Sequence, residues 1–289
     1  MKDVSCFYYL HGFAMIVHLI DGTYELFRHF YGQRTFNKGK DKPYGAVSGV
    51  LHGVLKMIED DATHVGVATD HVIESFRNGL WSGYKTGYGI ERVLRSQFKP
   101  LEDGLAAMGV AVWPMVELEA DDGLASAAYL AAKSKRVEKV CIWTPDKDLA
   151  QCVKNDRVVQ VDRRANIIRD EAGVVKKFGV KPALIPDLLA LIGDDADGYP
   201  GISGIGRIGA AKLLNEHGPI EKLPESVLGK KRNEALLFKR LATLRTDARL
   251  FKAVDDLRWL GPADSFAKFC KKIGDEKLLE RAIKAADRV

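Results

Sequence analysis

The chain has 289 residues, 46% of them hydrophobic and 29% charged, with a formal net charge of +5. That length buries a sizeable core, as one large domain or two smaller ones, and the composition is that of a folded globular chain. No apolar run reaches the ~18 residues of a membrane span, so no membrane partner is expected. Four scattered cysteines (Cys6, Cys141, Cys152, Cys270) show no metal-ligand spacing, which argues against a disulfide framework and for a cytosolic protein.

In chain order, the text opens on "MKDVSCFYYLHGFAMIVHLIDG", where Lys2 and the apolar stretch after it superficially resemble a signal peptide. The apolar residues run straight into "MIVHLID", however, which reads as a buried strand that cleavage would destroy. Residues 1–14 are expected to be a leader that is not native, the product of a misplaced start codon. Two further apolar runs end in acids, "HVGVATD" at 64–70 and "VCIWTPDKD" at 140–148. Helical periodicity fills the gaps, as in "YGAVSGVLHGVLKMIEDD" and "EADDGLASAAYLAAKSK". Strands alternating with helices predict an α/β fold with a parallel sheet flanked by helices. From about Val180 the text is helical throughout, so the expected division is a sheet domain over 1–178 and a helical domain over 179–289.

Asp21, Asp70, Asp146 and Asp148 fall at or just past strand ends, and Glu119, Asp121 and Asp122 open a helix. One such acid alone is usually a helix cap or turn former. Six or more on the same edge of a sheet would repel one another unless neutralised. Oxygen-only ligands select hard ions such as Mg²⁺ or Mn²⁺, and two such ions about 4 Å apart serve phosphodiester hydrolysis. The stretch "LIGDDADGYPGISGIGRIGAAKLL" (191–214) adds Asp194 and Asp197 and runs straight into a glycine-punctuated turn before a helix. If nine of the 39 acids serve one metal site, 30 acids face 44 basic residues elsewhere, which points to a polyanionic partner.

The ordered set "IDG", "ATD", "ELEADD", "TPDKDLAQ", "GDDADGYPGISGIG" resembles the 5′ nuclease family, which holds the 5′→3′ exonuclease domain of bacterial DNA polymerase I and the flap endonucleases. The resemblance spans about residues 16–250 and includes "LATLRTD" at 241–247. It implies a PIN-like sheet domain, a helical arch around 80–110 that is disordered without DNA, and a helix-hairpin-helix (helix-3-turn-helix) at 200–216. It assigns Asp21, Asp70, Glu119 and Asp121 to a catalytic metal. Asp146, Asp148 and Asp197, with Asp194 and Asp122 nearby, go to a second site shared with a third ion. Asp195 is extra and reads as a solvated loop residue.

By the same resemblance Arg77 and Lys85, in "SFRNGLWSGYK", contact the scissile phosphate. The family's next basic residue is replaced by Tyr88, with Arg92 and Arg95 farther along. Arg28, flanked by Phe27, Phe30 and Tyr31, suits stacking on unpaired bases, or else marks an amphipathic helix with its aromatics in the core. Gly204 and Gly206 permit a tight turn that grips a duplex phosphate through backbone N–H groups, with a K⁺ ion shared there in the family. Ile208 and Gly209 stand where the family often has Lys-Thr, leaving Arg207 and Lys212 to supply charge.

A haloacid-dehalogenase-type phosphatase would need a nucleophilic Asp two residues before Asp21, where this chain has Leu19. A DNA-binding relative without activity, and a PIN-type ribonuclease, are the remaining alternatives. The expectation is a free-standing, monomeric 5′→3′ exonuclease and flap endonuclease using two or three Mg²⁺ or Mn²⁺ ions. Its partner is DNA with 5′ flaps, nicks or ends, RNA-containing 5′ strands included.

Overall fold

The structure, a computed structural model, describes residues 15–37 and 42–288. The leader expected over 1–14, and Cys6 with it, lies outside the described residues. The sheet has six strands in the order β3-β2-β1-β4-β5-β6. β1 (Met15–Asp21), β2 (His64–Asp70), β3 (Ala111–Met115), β4 (Val137–Trp143) and β5 (Val158–Asp162) are parallel. β6 (Ile167–Arg169) closes the edge antiparallel to β5. The helices include α1 (Gly22–Asn37) and α2 (Gly45–Glu59) between the first two strands. α3 (Arg92–Arg95) and α4 (Phe98–Ala107) precede β3, and α5 (Ala120–Lys133) leads to β4.

β1 sits at the centre, with β2 on one side and β4 on the other. Its register aligns Asp21 with Ala68 and Ile20 with Trp143. The carboxyl ends of three strands therefore open into one crevice, the place where ligands of such sheets bind. Val17, Leu19 and Ile20 of β1 and Val65 and Val67 of β2 are buried, as strands covered on both faces require.

The arch expected over 80–110 is not what forms. Residues 71–91 are a loop holding one turn of 3-10 helix (Phe76–Gly79), and α3 is a single turn. α4 is a core helix: Phe98, Leu101 and Leu105 are buried against Val47, Leu51 and Phe269 in one cluster. Its apolar face is satisfied by packing, so it has no reason to stand out as an arch.

The helical region expected over 179–289 does not pack as one unit. α6 (Glu171–Phe178) leads into a helical unit of α7 (Ile185–Ile192), α8 (Arg207–His217), α9 (Glu225–Leu228) and α10 (Arg232–Ala242). That unit has a core of its own, built on Leu188, Leu191, Tyr199, Leu214, Phe238 and Leu241. The chain then returns to the sheet domain. Leu244, Val254 and Leu257 pack beside α5, and α11 (Ser265–Ile273) and α12 (Glu276–Ala286) cover α2 and α4 through Phe266, Phe269 and Leu278. Arg281 donates to Glu59 through Nε and Nη2, and Ser48 and His52 both meet Asp275. Residues 244–288 thus belong with the catalytic sheet, leaving about 180–242 as the inserted helical unit. Among the described residues no helix is long and apolar enough to cross a membrane.

Candidate metal centre and nucleic-acid interface

The strand-end acids meet as the sequence pattern implies, though not in the two groups the resemblance assigned. Two trios form. Oxygens of Asp121, Asp146 and Asp148 lie within 4.8 Å of one another, and so do oxygens of Asp148, Asp194 and Asp197. Asp148 is common to both. Asp21 and Asp70 stand beside the first trio; Asp21 accepts from Tyr24 N–H (2.8 Å) and Thr144 Oγ1–H (3.1 Å), and Asp70 from Ala120 N–H (2.8 Å). Burial first, then Asp70 and Asp146, push the Asp21 carboxyl up to about 7. Burial and neighbouring carboxylates likewise raise Asp121, Asp148 and Asp197.

These groups fit a hard divalent cation. The donors are all carboxylate oxygens, and Asp148 Oδ1 is buried with no hydrogen-bond partner. An acceptor left without a donor among like charges is explained by a cation.

Glu119 and Asp122 differ from the rest. Glu119 Oε1 accepts from Ser75 Oγ–H (2.7 Å) and Arg77 Nη1 (3.0 Å), and Oε2 from Tyr84 O–H (3.3 Å) and the Lys85 ammonium (2.7 Å). Burial would raise its pKa, but Lys85 and Arg77 outweigh burial and hold it below the usual carboxylate range. Asp122 is 0% exposed. Its oxygens take both Arg77 terminal nitrogens, Glu119 N–H and Arg245 N–H. Four donors thus use the oxygens of Asp122, the residue expected as a metal ligand, and it belongs to neither trio.

Arg77, expected at the scissile phosphate, is likewise taken up by partners. It is 1% exposed, and beyond the two acids its Nε–H donates to Leu241 O (2.7 Å) and Nη2 to Thr243 O (3.3 Å). Lys85 brings a cation to the second trio. Its ammonium lies 2.7 Å from Glu119 and 2.9 Å from Asp197; burial works against its charge, but these partners raise its pKa well above the ordinary lysine value. The sequence reasoning missed Lys147, whose ammonium sits 2.6 Å from Asp194. Its place between the two acids of "PDKD" was the available signal. It also missed Gly198 (φ +79°), where an added Cβ would lie 2.0 Å from Gly83 O. That close approach locks the 194–199 loop onto the Lys85 loop, where Lys85 N–H donates to Asp197 O.

Around this centre the other expected residues divide. Arg28 pairs with Glu25 and His29 along α1, Phe30 is buried, and Phe27 packs on Phe98. Of that aromatic group only Tyr31 is exposed, so the core reading holds for the two phenylalanines. Tyr88 is 97% exposed, and Arg92 and Arg95 are exposed on α3. Asp195 is exposed, as a solvated loop residue should be.

α7 and α8 form a helix-turn-helix through residues 193–206. Gly204 takes φ +92°, and Gly206 is the N-cap of α8 and offers no side-chain cap. Added Cβ atoms at Gly204, Gly206 or Gly209 would meet nothing within 4 Å. Ile208 is 88% exposed and Lys212 is exposed, whereas Arg207 folds back onto Lys177 O and over the Phe178 ring. Lys231, near Ser203 O (3.3 Å), brings an ammonium to the turn that the sequence did not single out.

Two family models cover this architecture. One, described as the 5′–3′ exonuclease N-terminal resolvase-like domain, matches residues 16–179, and one described as the 5′–3′ exonuclease C-terminal SAM fold matches 180–265. The chain belongs to the 5′–3′ exonuclease family. Among relatives of this 5′–3′ exonuclease family member, a 5′–3′ exonuclease of Buchnera aphidicola (subsp. Baizongia pistaciae) is 32% identical, covering 84% of this chain and 86% of that one. DNA polymerase I of Bacillus subtilis is also 32% identical, covering 91% of this chain but 32% of the polymerase. In fold, a mutant of the T5 5′-exonuclease matches with a TM-score of 0.64 at 19% identity, covering 93% of this chain and 99% of that one. Flap endonuclease-1 from Methanococcus jannaschii matches with a TM-score of 0.62 at 15% identity, covering 95% and 93%.

Proposed function

We propose that the protein is a structure-selective 5′ nuclease that hydrolyses DNA at 5′ ends and flap junctions, using Mg²⁺ or Mn²⁺. The observation that carries this reading is the pair of carboxylate trios sharing Asp148, beside Lys85 and joined by one short loop to the open hairpin. Asp121, Asp146 and Asp148 would hold one cation and Asp148, Asp194 and Asp197 another, with Asp21 and Asp70 beside them. Bound there, divalent cations supply Lewis-acid activation of water and phosphodiester and offset charge on the leaving oxygen. The chain's own residues do the rest. Lys85 donates to a phosphoryl oxygen as charge develops, and the buried carboxylates exclude competing anions until a cation is present. The hairpin at 203–209 orients the duplex through its backbone, and hydrolysis leaves a 5′ phosphate on the downstream strand. Support from neighbours is that a T5 5′-exonuclease structure holds zinc and a structure of the T5 D15 flap endonuclease is a complex with DNA and metal ions. A K⁺ ion at the hairpin, monomeric action and a reducing compartment complete the reading. The free thiols of Cys141, Cys152 and Cys270 suit the last.

The test is cleavage of labelled flap, nicked, blunt and single-stranded DNA with Mg²⁺, with Mn²⁺ and with EDTA. Metal-dependent cleavage favouring the flap is expected. Tight binding without hydrolysis would show an inactive DNA-binding relative, and preference for an all-RNA strand a ribonuclease.

The hairpin makes its own prediction. Gly206 has an ordinary φ of −86° and open space at its Cβ, so Gly206→Val should fold with nearly wild-type thermal stability. Its bulk instead meets the phosphate. Flap affinity is expected to fall by at least about tenfold, the scale of 1.4 kcal/mol, while single-stranded cleavage changes far less. Equal losses on both substrates would refute the duplex grip.

A further inference from the structure

The segment "LATLRTD" (241–247) forms the exit from the helical unit, and nothing in the chemistry above uses it. The structure clamps it from two sides. On one, Arg77 spends its guanidinium on Leu241 O and Thr243 O together with Glu119 and Asp122, while Asp122 also accepts Arg245 N–H. On the other, Gln151 Nε2–H donates to both Asp148 O (2.8 Å) and Ala242 O (3.0 Å), and its Oε1 accepts Leu244 N–H (3.0 Å). Residues 241–245 are thereby bonded to the start of α5, which carries Glu119 and Asp121, and to the turn that carries Asp148. At its other end this exit segment continues α10, whose Phe238 stacks on Tyr199 in the loop between Asp197 and the hairpin.

We propose that Arg77 and Gln151 are positioning residues that couple duplex binding at the hairpin to the placement of the catalytic carboxylates. A guanidinium suits the task, because its planar fork meets two carboxylates and two carbonyls at once, which an ammonium does not. Burying that ion pair adds little stability over an apolar filling, whereas it fixes one geometry across the junction of two units. A shift of the helical unit on DNA therefore reaches both trios through hydrogen bonds of set length. Misplacement by about 1 Å costs on the order of 10²-fold in rate, so small shifts here are enough to matter. The inference rests on the nuclease reading, but its first test needs no hydrolysis.

Hydrogen–deuterium exchange on the full chain, with and without nicked duplex in Ca²⁺, is the decisive measurement. In the wild type, duplex is expected to protect 203–217 and also the remote peptides around 119–126 and 146–152. In Gln151→Met and Arg77→Lys, protection of 203–217 should persist and the remote protection should vanish. The single-turnover rate on a flap with Mg²⁺ should fall at least about tenfold in both variants, with flap affinity within about twofold. Gln151→Met keeps the test sound where Arg77→Lys fails to fold, because Gln151 is only half-buried. Hairpin protection without remote protection in the wild type, or remote protection retained in Gln151→Met, would overturn the coupling. Duplex that leaves 203–217 unprotected would instead sink the duplex-grip reading, and the coupling with it.

Discussion

Without divalent cations at about pH 7.5, an Asp148→Asn protein is expected to melt at a higher temperature than the wild type. With Mg²⁺ it should hydrolyse DNA on the order of 10³-fold more slowly, the upper end for one electrostatic group at a transition state. Both effects come from the same atoms. Asp148 is buried, has an oxygen with no partner, and faces Asp146, Asp197 and Asp194, so its carboxyl is held well above the usual range by burial first and those charges second. Asparagine keeps the shape and removes a charge that the metal-free fold does not compensate. It also removes the one ligand common to both trios. The sign follows from linkage. Asp21, Asp70, Asp121, Asp148 and Asp197 are all raised, so the folded state keeps protons that the unfolded chain has released. Their contribution is full below the unfolded value of 3.8 and is lost as pH rises through the folded values, about 7 for Asp21. Glu119, lowered, works in the opposite sense, and so do His18 and His29, whose charged forms burial disfavours down to about 4, so the clean readout is the difference between the variant and the wild type. The metal-free melting advantage of Asp148→Asn over the wild type should therefore grow as pH rises from about 4 to 7, and Mg²⁺ should remove it. Calorimetry across that range checks the claim. An Asp148→Asn protein less stable than the metal-free wild type, or one with near-normal Mg²⁺-dependent turnover, would contradict it.

How far the sequence was legible depends on where each signal lies. Strand-end acids were readable because β1, β2 and β4 are buried on both faces and appear as apolar runs that stop abruptly. β3 was not, because "AVWPM" carries Pro114; a proline is tolerated at that sheet edge, yet it spoils the strand pattern. The three residues of β6 are too short to show any period. The return of α11 and α12 to the sheet domain was invisible for another reason. An amphipathic helix announces that one face is buried, and says nothing about which core buries it. Within "ELEADD" the adjacent Asp121 and Asp122 look equivalent in text, but consecutive helical residues point about 100° apart, and only one faces the trios. Arg77 and Lys85 were alike as cations in one loop. What separates them is that Arg77 meets the returning 241–245 segment, 164 residues away in the chain from its Leu241 partner.

Lys85→Ala should lower the single-turnover rate on a flap by roughly 10²-fold, the scale of losing one transition-state donor, with a smaller change in DNA affinity. The loop itself should survive the change. Its backbone is held by Asn78 Nδ2–H to Lys85 O (2.9 Å) and by Lys85 N–H to Asp197 O (3.0 Å), neither of which uses the side chain. What disappears is the ammonium between Glu119 and Asp197. Metal-free stability should accordingly move opposite to Asp148→Asn. Removing a carboxylate relieves repulsion, whereas removing Lys85 leaves two buried carboxylates without their shared cation. The lysine pKa lies above its ordinary value, so the charge and its stabilising effect are fully present at neutral pH and would fade only in strong alkali. A lower melting temperature without metal and a slow chemical step at saturating enzyme are thus expected together. Rapid-quench kinetics on a flap, with binding measured separately in Ca²⁺, distinguishes the roles. If affinity falls while the single-turnover rate holds, Lys85 anchors a phosphate and takes no part in the chemical step.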